Sequence, residues 1–420
     1  MAGIRSVALR WFGRALIVLA VVGGGLLACE YYLRAYYPVR EIIQVDERVL
    51  YKPIPNTRRR FFRRDGGSVL VSINAEGRRG PLASKENGTK NVVVYGDSFI
   101  FGAFSPEEET FATQLAQDLA ATSADPVQVL NAGVDGYGPD QILRRMSDDL
   151  DVLKPDLCVV AIFPGNDFGD LIRDKLYRLD PSDGRLVENQ VVIGPALMPQ
   201  TPADMAKGQP SWQIVTIIDK FLERRRHAQG KNEEMTEIFK DTNRAFGKFE
   251  QDAAREYEDY MALHPTLVTN LYDDGYDADI ALHPDAPASI YKKRLMEAVL
   301  VRMKAEADAQ HVPLLLCIIP AALDTVERYD PAMDGAVYSR YRRSELTDAV
   351  ASIAQRHSIP YVDLFAAFRG NEPASLYFEP WDGHWNAKGQ ALAAREVAGA
   401  IASLGLLRTR DSSPQAQAEN

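Results

Sequence analysis

Val92-Val93-Val94-Tyr95-Gly96-Asp97-Ser98-Phe99-Ile100-Phe101-Gly102 is an apolar run that breaks at a tripeptide carrying one hydroxyl. Unbroken apolar character predicts a strand buried on both faces, and Gly-Asp-Ser after it places a serine at the carboxyl edge of a sheet, where open α/β folds bind ligands. After a short apolar loop, a helical pattern begins near Pro106. Ser98 is therefore a candidate nucleophile. Glycine, aspartate and serine are also each turn-favouring for their own reasons, so the rest of the chain has to decide between chemistry and a plain turn.

Outward from this stretch the pattern alternates. Short apolar runs at 91–96, 127–131, 156–163, 312–319 and 359–363 predict five strands, most of them followed by a helical periodicity. That alternation predicts a parallel sheet covered by helices on both faces. The small and polar residues fall directly after successive strands. Asn131-Ala132-Gly133-Val134-Asp135-Gly136-Tyr137-Gly138 follows the second and Pro164-Gly165-Asn166-Asp167 the third. Past the fifth strand, a short helical stretch and Pro380 comes Trp381-Asp382-Gly383-His384-Trp385-Asn386. With Gly96-Asp97-Ser98 after the first strand, four segments converge on one edge of one sheet.

A serine hydroxyl is a weak nucleophile until an imidazole takes its proton, and the imidazole needs a carboxylate to hold its tautomer and stabilise its charged form. His384 is the candidate base and Asp382 the candidate carboxylate. A tetrahedral acyl intermediate also needs donors aimed at its oxyanion. The backbone N–H groups of Ser98 and Gly136 and the side-chain amide of Asn166 are the candidates, and a glycine at 136 lets the backbone come close to a ligand. Plainer readings exist for single residues: Asn166 as a helix cap, Gly136 as a turn residue, Trp381 and Trp385 as packing. No further His or Cys lies in the converging segments, so a zinc site there lacks ligands, and neither metal nor other cofactor is expected. The α/β-hydrolases use the same three residue types, but their elbow is Gly-x-Ser-x-Gly, and Ile100 occupies its last glycine position.

GDSF, NAGVDGYG, GND and DGHWNAKG, in that order, resemble the GDSL-type hydrolases, also called the SGNH family. The resemblance covers about residues 90–405, and INAEGRRG ahead of the first block is similar to the lead-in of membrane-anchored relatives. It implies a flavodoxin-like three-layer α/β/α sandwich with a central parallel five-stranded sheet. It also implies the nucleophile at Ser98, oxyanion donors at Ser98, Gly136 and Asn166, and the base at His384. One position departs from the pattern. The family most often places the aspartate three residues before the histidine, where this chain has Trp381, and Asp382 lies two before. Relatives that acetylate or deacetylate extracellular polysaccharides, such as the alginate acetylation proteins, use an Asp-x-His-Trp arrangement that DGHW resembles, which makes Asp382 the implied third member. The departure leaves esterase and acyltransferase both open.

The remaining sequence supplies context. A formal charge of -10 excludes a nucleic-acid partner of the ordinary basic kind, and 46% hydrophobic with 25% charged residues describes a globular chain. Cys158 and Cys317 sit inside apolar strand-like runs and read as small buried hydrophobes. Ala15 to Cys29 is continuously apolar behind Arg5, Arg10 and Arg14, which predicts an uncleaved signal anchor with its amino end in the cytoplasm. Leu26-Leu27-Ala28-Cys29 also faintly resembles a lipoprotein cleavage box, so cleavage or lipidation at Cys29 is the alternative. Arg58-Arg59-Arg60-Phe61-Phe62-Arg63-Arg64 reads as a solvated strand face ahead of a hairpin, with contact to anionic lipid the other reading. Asn87-Gly88-Thr89 fits a glycosylation acceptor. Within the segment 171–289, Ile214, Ile217, Ile218 and Phe221 recur at helical spacing. Packing on the main domain is favoured for them over a lid or membrane-facing role. His311 and His357 close helices, where a histidine complements the helix dipole.

The chain is thus expected to comprise a cytoplasmic tail and transmembrane signal anchor (1–30), an extension with a short β-hairpin (31–90), and a hydrolase domain (91–408) with an insertion at 171–289. A disordered tail (409–420) is expected to follow. The expected activity is that of a serine esterase, lipase-like, acting through an acyl-serine intermediate outside the cytoplasmic membrane, in a bacterial periplasm or at a cell surface. The expected substrate is an ester-bearing small molecule, a lipid or an acetylated glycan. An O-acetyltransferase of extracellular polysaccharide is one alternative, and a catalytically silent glycan-binding or scaffold protein the other. The sequence specifies no oligomeric state.

Overall fold

The computed structural model describes residues 2–38, 42–63, 67–84, 88–123, 125–194, 212–215, 217–218, 242–262, 266–268, 276–327, 338–378 and 382–407. The tail from 409, Trp381, Asn87 of the acceptor motif, Arg64 of the basic patch and Phe221 of the apolar stretch lie outside them. Five strands form the central sheet: β1 (Lys90–Tyr95), β2 (Val127–Asn131), β3 (Leu157–Ile162), β4 (Leu314–Ile318) and β5 (Tyr361–Asp363). All neighbours pair parallel, and the spatial order is β5-β4-β3-β1-β2. This is the flavodoxin-like order, and its switch point lies between β1 and β3, the strands that carry Ser98 and Asn166 at their ends.

The principal helices are α1 (Ala2–Tyr36), α2 (Ser98–Phe101), α3 (Phe111–Thr122), α4 (Pro139–Leu153), α5 (Asp167–Asp174), α6 (Pro287–Ala309), α7 (Glu345–Arg356) and α8 (Ala387–Leu404). Successive strand residues point to opposite faces, so each apolar strand feeds two cores. Val93, Tyr95, Val160 and Leu316 pack with Met146 of α4, Val299 of α6 and Val350 of α7. Val92, Val94, Val159 and Leu315 pack with Leu115 of α3 and Val397 of α8. Residues buried this completely contribute roughly 1.5–3 kcal/mol each, which explains why the strand cores were legible as apolar runs. The helix ends follow capping chemistry. Thr110 accepts from Thr113 N–H at the start of α3, Pro139 occupies the first turn of α4, and Gly405 closes α8 in the left-handed region.

One local expectation is extended and one corrected. Helical structure does begin near Pro106, as a 3-10 turn at Glu107–Glu109 that leads into α3, but it is preceded by a further single turn that starts at Ser98 itself because Asp97 caps it. His311 lies past the end of α6 with φ of 57°, outside the last helical turn where a dipole contact would form. His357 does cap α7, and its Nε2 lies 2.6 Å from Glu297 Oε1.

The extension packs into the domain. Arg58–Phe62 and Ser68–Ser72 pair as an antiparallel hairpin, and Ile43–Asp46 pairs with Leu50–Pro53. Val49, Leu50 and Tyr51 belong to the same core as α4. The arginine strand is partly packed rather than merely solvated: Arg60 Nε donates to Tyr36 O at the foot of α1, and its guanidinium lies over the Tyr37 ring. Trp11–Tyr36 is long and apolar enough to cross a membrane by length and composition. Glu30 on this helix accepts from the N–H groups of Gln213 (2.7 Å) and Ile214 (3.1 Å). In that segment Gln213 is buried and Ile218 is exposed, the reverse of the packing expected from their hydropathy.

Candidate active site

Three features of Gly96-Asp97-Ser98 set the serine in place. A Cβ on Gly96 would meet Ile100 Cγ1 at 2.5 Å and Ala161 Cβ at 3.1 Å, so glycine is needed where the turn presses against β3. Asp97 Oδ1 accepts the N–H of Phe99 at 2.9 Å and starts α2. Ser98 is the first residue of that helix.

His384 Nε2 lies 2.7 Å from Ser98 Oγ, and His384 Nδ1 lies 2.5 Å from Asp382 Oδ1. The tautomer follows from the partners: Nδ1–H donates to the carboxylate, which leaves Nε2 to accept from the hydroxyl. The two-residue spacing has a local explanation. Asp382 Oδ1 also accepts the backbone N–H of His384 at 2.9 Å, an Asx arrangement that brings the carboxylate to its own neighbour's ring. An aspartate two residues before the histidine therefore reaches Nδ1.

The loop carrying His384 is clamped from both sides. Phe378 N–H donates to His384 O, and Asn386 Nδ2 donates to Ser375 O and Tyr377 O while its Oδ1 caps α8. A Cβ on Gly389 would lie 2.3 Å from Leu376 O, which accounts for the glycine in DGHWNAKG. Trp385 is fully buried against Phe99, Phe111 and Phe368, so it packs. Phe99 and Phe104 stand beside the imidazole, with centroids at 4.9 and 5.9 Å.

Burial pulls the His384 pKa down, but the charge and hydrogen bond of Asp382, with Asp135 and Asp97 farther off, outweigh it and push the group up to about 9. The Asp167 pKa is raised as well, but in its case burial is the main cause. Burial pushes its carboxyl well above the usual range, the charges of Asp97 and Asp170 push it further, and its Oδ2 accepts Phe163 N–H at 2.6 Å.

Gly136 and Asn166 sit in neighbouring loops of the same edge. Gly136 has φ of 74°, and Val134 N–H donates to Gly96 O at 3.0 Å, which fastens this turn to the turn bearing Ser98. Asn166 is the N-cap residue of α5, with no capping hydrogen bond from its side chain. Its loop is braced by Asp277, whose N–H donates to Gly165 O at 2.7 Å and whose Oδ2 accepts Gly169 N–H at 2.6 Å. Asp277 is paired in turn with the buried Lys292 Nζ at 2.9 Å. Asp277 and Lys292 lie some hundred residues or more beyond Asn166, and no local pattern in the sequence pointed to them.

Comparison with known proteins adds one firm point. Residues 286–419 match the family model described as the SGNH hydrolase-like domain of the acetyltransferase AlgX. The matched segment contains Asp382 and His384, and Ser98, Gly136 and Asn166 precede it. No curated protein matches the sequence. Among solved structures, the lipase/acylhydrolase from Enterococcus faecalis is similar at 12% identity, covering 75% of this chain and 96% of that one, with a TM-score of 0.37. A catalytic mutant of Axe2, an acetylxylan esterase from Geobacillus stearothermophilus, is similar at 14% identity, 76% and 96% coverage and a TM-score of 0.36. LAE5, a hydrolase from the metagenome of Lake Arreo in Spain, has the same identity, coverages and score.

Proposed function

We propose that the protein is a serine-dependent acyl hydrolase or acyltransferase that acts on ester-linked acetyl groups through an acyl-Ser98 intermediate. The observation that carries this reading is the hydrogen-bonded chain from Ser98 Oγ through His384 to Asp382 at the carboxyl edge of the sheet. In the first step Ser98 Oγ attacks the acyl carbon while its proton passes to His384 Nε2. The oxyanion is received by the N–H groups of Ser98 and Gly136 and the amide of Asn166. His384 then gives the proton to the departing alcohol, leaving the acyl group on Ser98. Water or a second hydroxyl repeats the sequence in reverse. Asp382 holds the imidazole tautomer and stabilises its charged form.

The match to an acetyltransferase domain favours a sugar hydroxyl as the second acceptor and an acetylated glycan as the donor. Water and sugar attack the same acyl-enzyme, so one experiment addresses both. The full chain in detergent is given an acetylated oligosaccharide, and acetate release is compared with acetyl transfer to added unacetylated glycan. Wild type is expected to do one or both, and Ser98→Ala neither. Equal activity in the two proteins would refute the reading. We further propose that α1 anchors the chain with its arginine-preceded amino end in the cytoplasm and the sheet domain outside.

The protonation state of His384 makes a second prediction. Because the imidazole must be neutral to accept the serine proton, kcat/KM of the free enzyme is expected to rise with pH and level off only above about 9. The same raised value means that His384 contributes stability at pH values below its unfolded pKa and loses it as pH climbs through about 9. In Asp382→Asn the neutralised partner leaves burial dominant, so the limb should move to lower pH while the plateau falls. A limb that stays in place in this variant would show that another group titrates.

A further inference from the structure

The extension that precedes the sheet sends one side chain into the loop that carries Gly136. Tyr51 is 1% exposed, and its hydroxyl donates toward Gly136 O at 2.6 Å and Asp135 O at 3.1 Å. The Asp135 carbonyl and the Gly136 N–H belong to one peptide unit. In a planar trans peptide these two groups point in opposite directions, so a donor that holds the carbonyl on one side turns the N–H to the other.

This peptide needs holding. Tyr137 N–H donates to Val134 O at 3.1 Å, Gly136 has φ of 74°, and Asp135 is not among the residues with positive φ. Val134–Tyr137 is therefore a type II turn. Types I and II differ by a flip of the central peptide, here Asp135–Gly136, and glycine in the third position leaves both accessible. A flip would reverse the N–H and put a carbonyl in its place.

Tyr51 is itself rigidly mounted. The preceding Leu50 is fully buried yet held at φ of 65°, a strained conformation for a leucine that persists only where its surroundings enforce it. Gln141 Nε2 donates to Val49 O at 2.7 Å, Tyr137 Oη donates to Tyr51 O at 2.6 Å, and the two tyrosine rings meet edge to face at 5.3 Å. A Cβ on Gly136 would lie 2.8 Å from the Tyr51 hydroxyl, so the approach leaves room only for glycine.

We propose that Tyr51 is a positioning residue for the reaction: its hydroxyl, closest to Gly136 O and also within reach of Asp135 O, fixes the two peptides that flank Gly136 so that the Gly136 N–H faces the oxyanion formed at Ser98. The inference rests on the acyl-Ser98 reading and extends it, since it makes residues 43–53 part of the working site rather than a spacer behind the anchor.

The test measures the rate of serine phosphonylation by a fluorophosphonate, whose P=O oxygen occupies the oxyanion position, in the full chain in detergent micelles. Tyr51→Phe is expected to lower the maximal labelling rate about tenfold, less than the roughly 10²–10³ of a deleted donor, with the half-saturating probe concentration unchanged. Tyr260→Phe is the control, because it removes another buried tyrosine hydroxyl that donates to a backbone carbonyl, Tyr177 O at 2.9 Å, far along the chain in the insertion. It is expected to lose similar thermal stability and to label at the wild-type rate. Wild-type labelling kinetics in Tyr51→Phe, or an equal loss in both variants, would overturn the inference while leaving the acyl-serine reading intact. Failure of wild type to label at Ser98 would overturn both.

Discussion

The His384→Ala variant is expected to lose on the order of 10⁴–10⁶ in kcat toward an acetyl ester, with its circular dichroism spectrum unchanged. The size follows from the geometry. His384 is the group bonded to Ser98 Oγ at 2.7 Å, and in the proposed mechanism it both accepts the serine proton and donates to the leaving alcohol. Neither step has a second base within the relay. Because the members act as a unit, the Ser98→Ala, His384→Ala double variant should be no slower than either single one. A His384→Ala protein within about tenfold of wild type would show that Ser98 is activated some other way.

Arg79→Met is expected to produce a large loss of stability, about 3 kcal/mol or more, because three carbonyls lose a charged donor at once. Arg79 is 1% exposed, and its guanidinium donates to Phe101 O (2.8 Å), Gly102 O and Ser105 O (2.7 Å), with Nε on Glu107 at 2.7 Å. Its backbone bridges Ile73 and Asn131, so one residue ties the extension to the end of β2 and, through its guanidinium, to the loop after α2. Glu107 is 44% exposed and can rehydrate when the arginine is lost, which places the cost on the carbonyls rather than on an orphaned charge. Arg79→Lys should recover only part of it, since an ammonium cannot span carbonyls arranged for a planar fork. Thermal melts of the three proteins followed by near-ultraviolet dichroism test this, and an unchanged midpoint in Arg79→Met would refute it.

The sheet was readable because its strands are buried on both faces. Val92 to Tyr95, Leu157 to Ile162 and Leu314 to Ile318 each carry an apolar side chain at every position, and the observed strands begin and end within two residues of those expected from the sequence. The candidate residues Ser98, Asp382 and His384 stood out in blocks of small and polar residues past strand ends. The start of α2 did not, because four residues show no periodicity and only the Asp97 cap reveals the turn. Asp382 looked doubtful by its spacing from His384. The bond from His384 N–H to Asp382 Oδ1 explains how a shorter spacing reaches the ring, but it exists only once the loop has folded. Tyr51 was beyond reach for a different reason. Its partners lie 84 and 85 residues away, and the sequence around it, Val49-Leu50-Tyr51-Lys52, reads as an ordinary short strand.

The central claim is a covalent acyl-Ser98 intermediate. It is tested most directly by mixing the full chain with p-nitrophenyl acetate, quenching in acid during the first turnover, and sequencing the proteolytic peptides by mass spectrometry. One acetyl group is predicted on Ser98 in wild type, present at the earliest times and absent in Ser98→Ala. Product release in wild type without any acetyl adduct on Ser98, or an adduct that persists in Ser98→Ala on another residue, would contradict it.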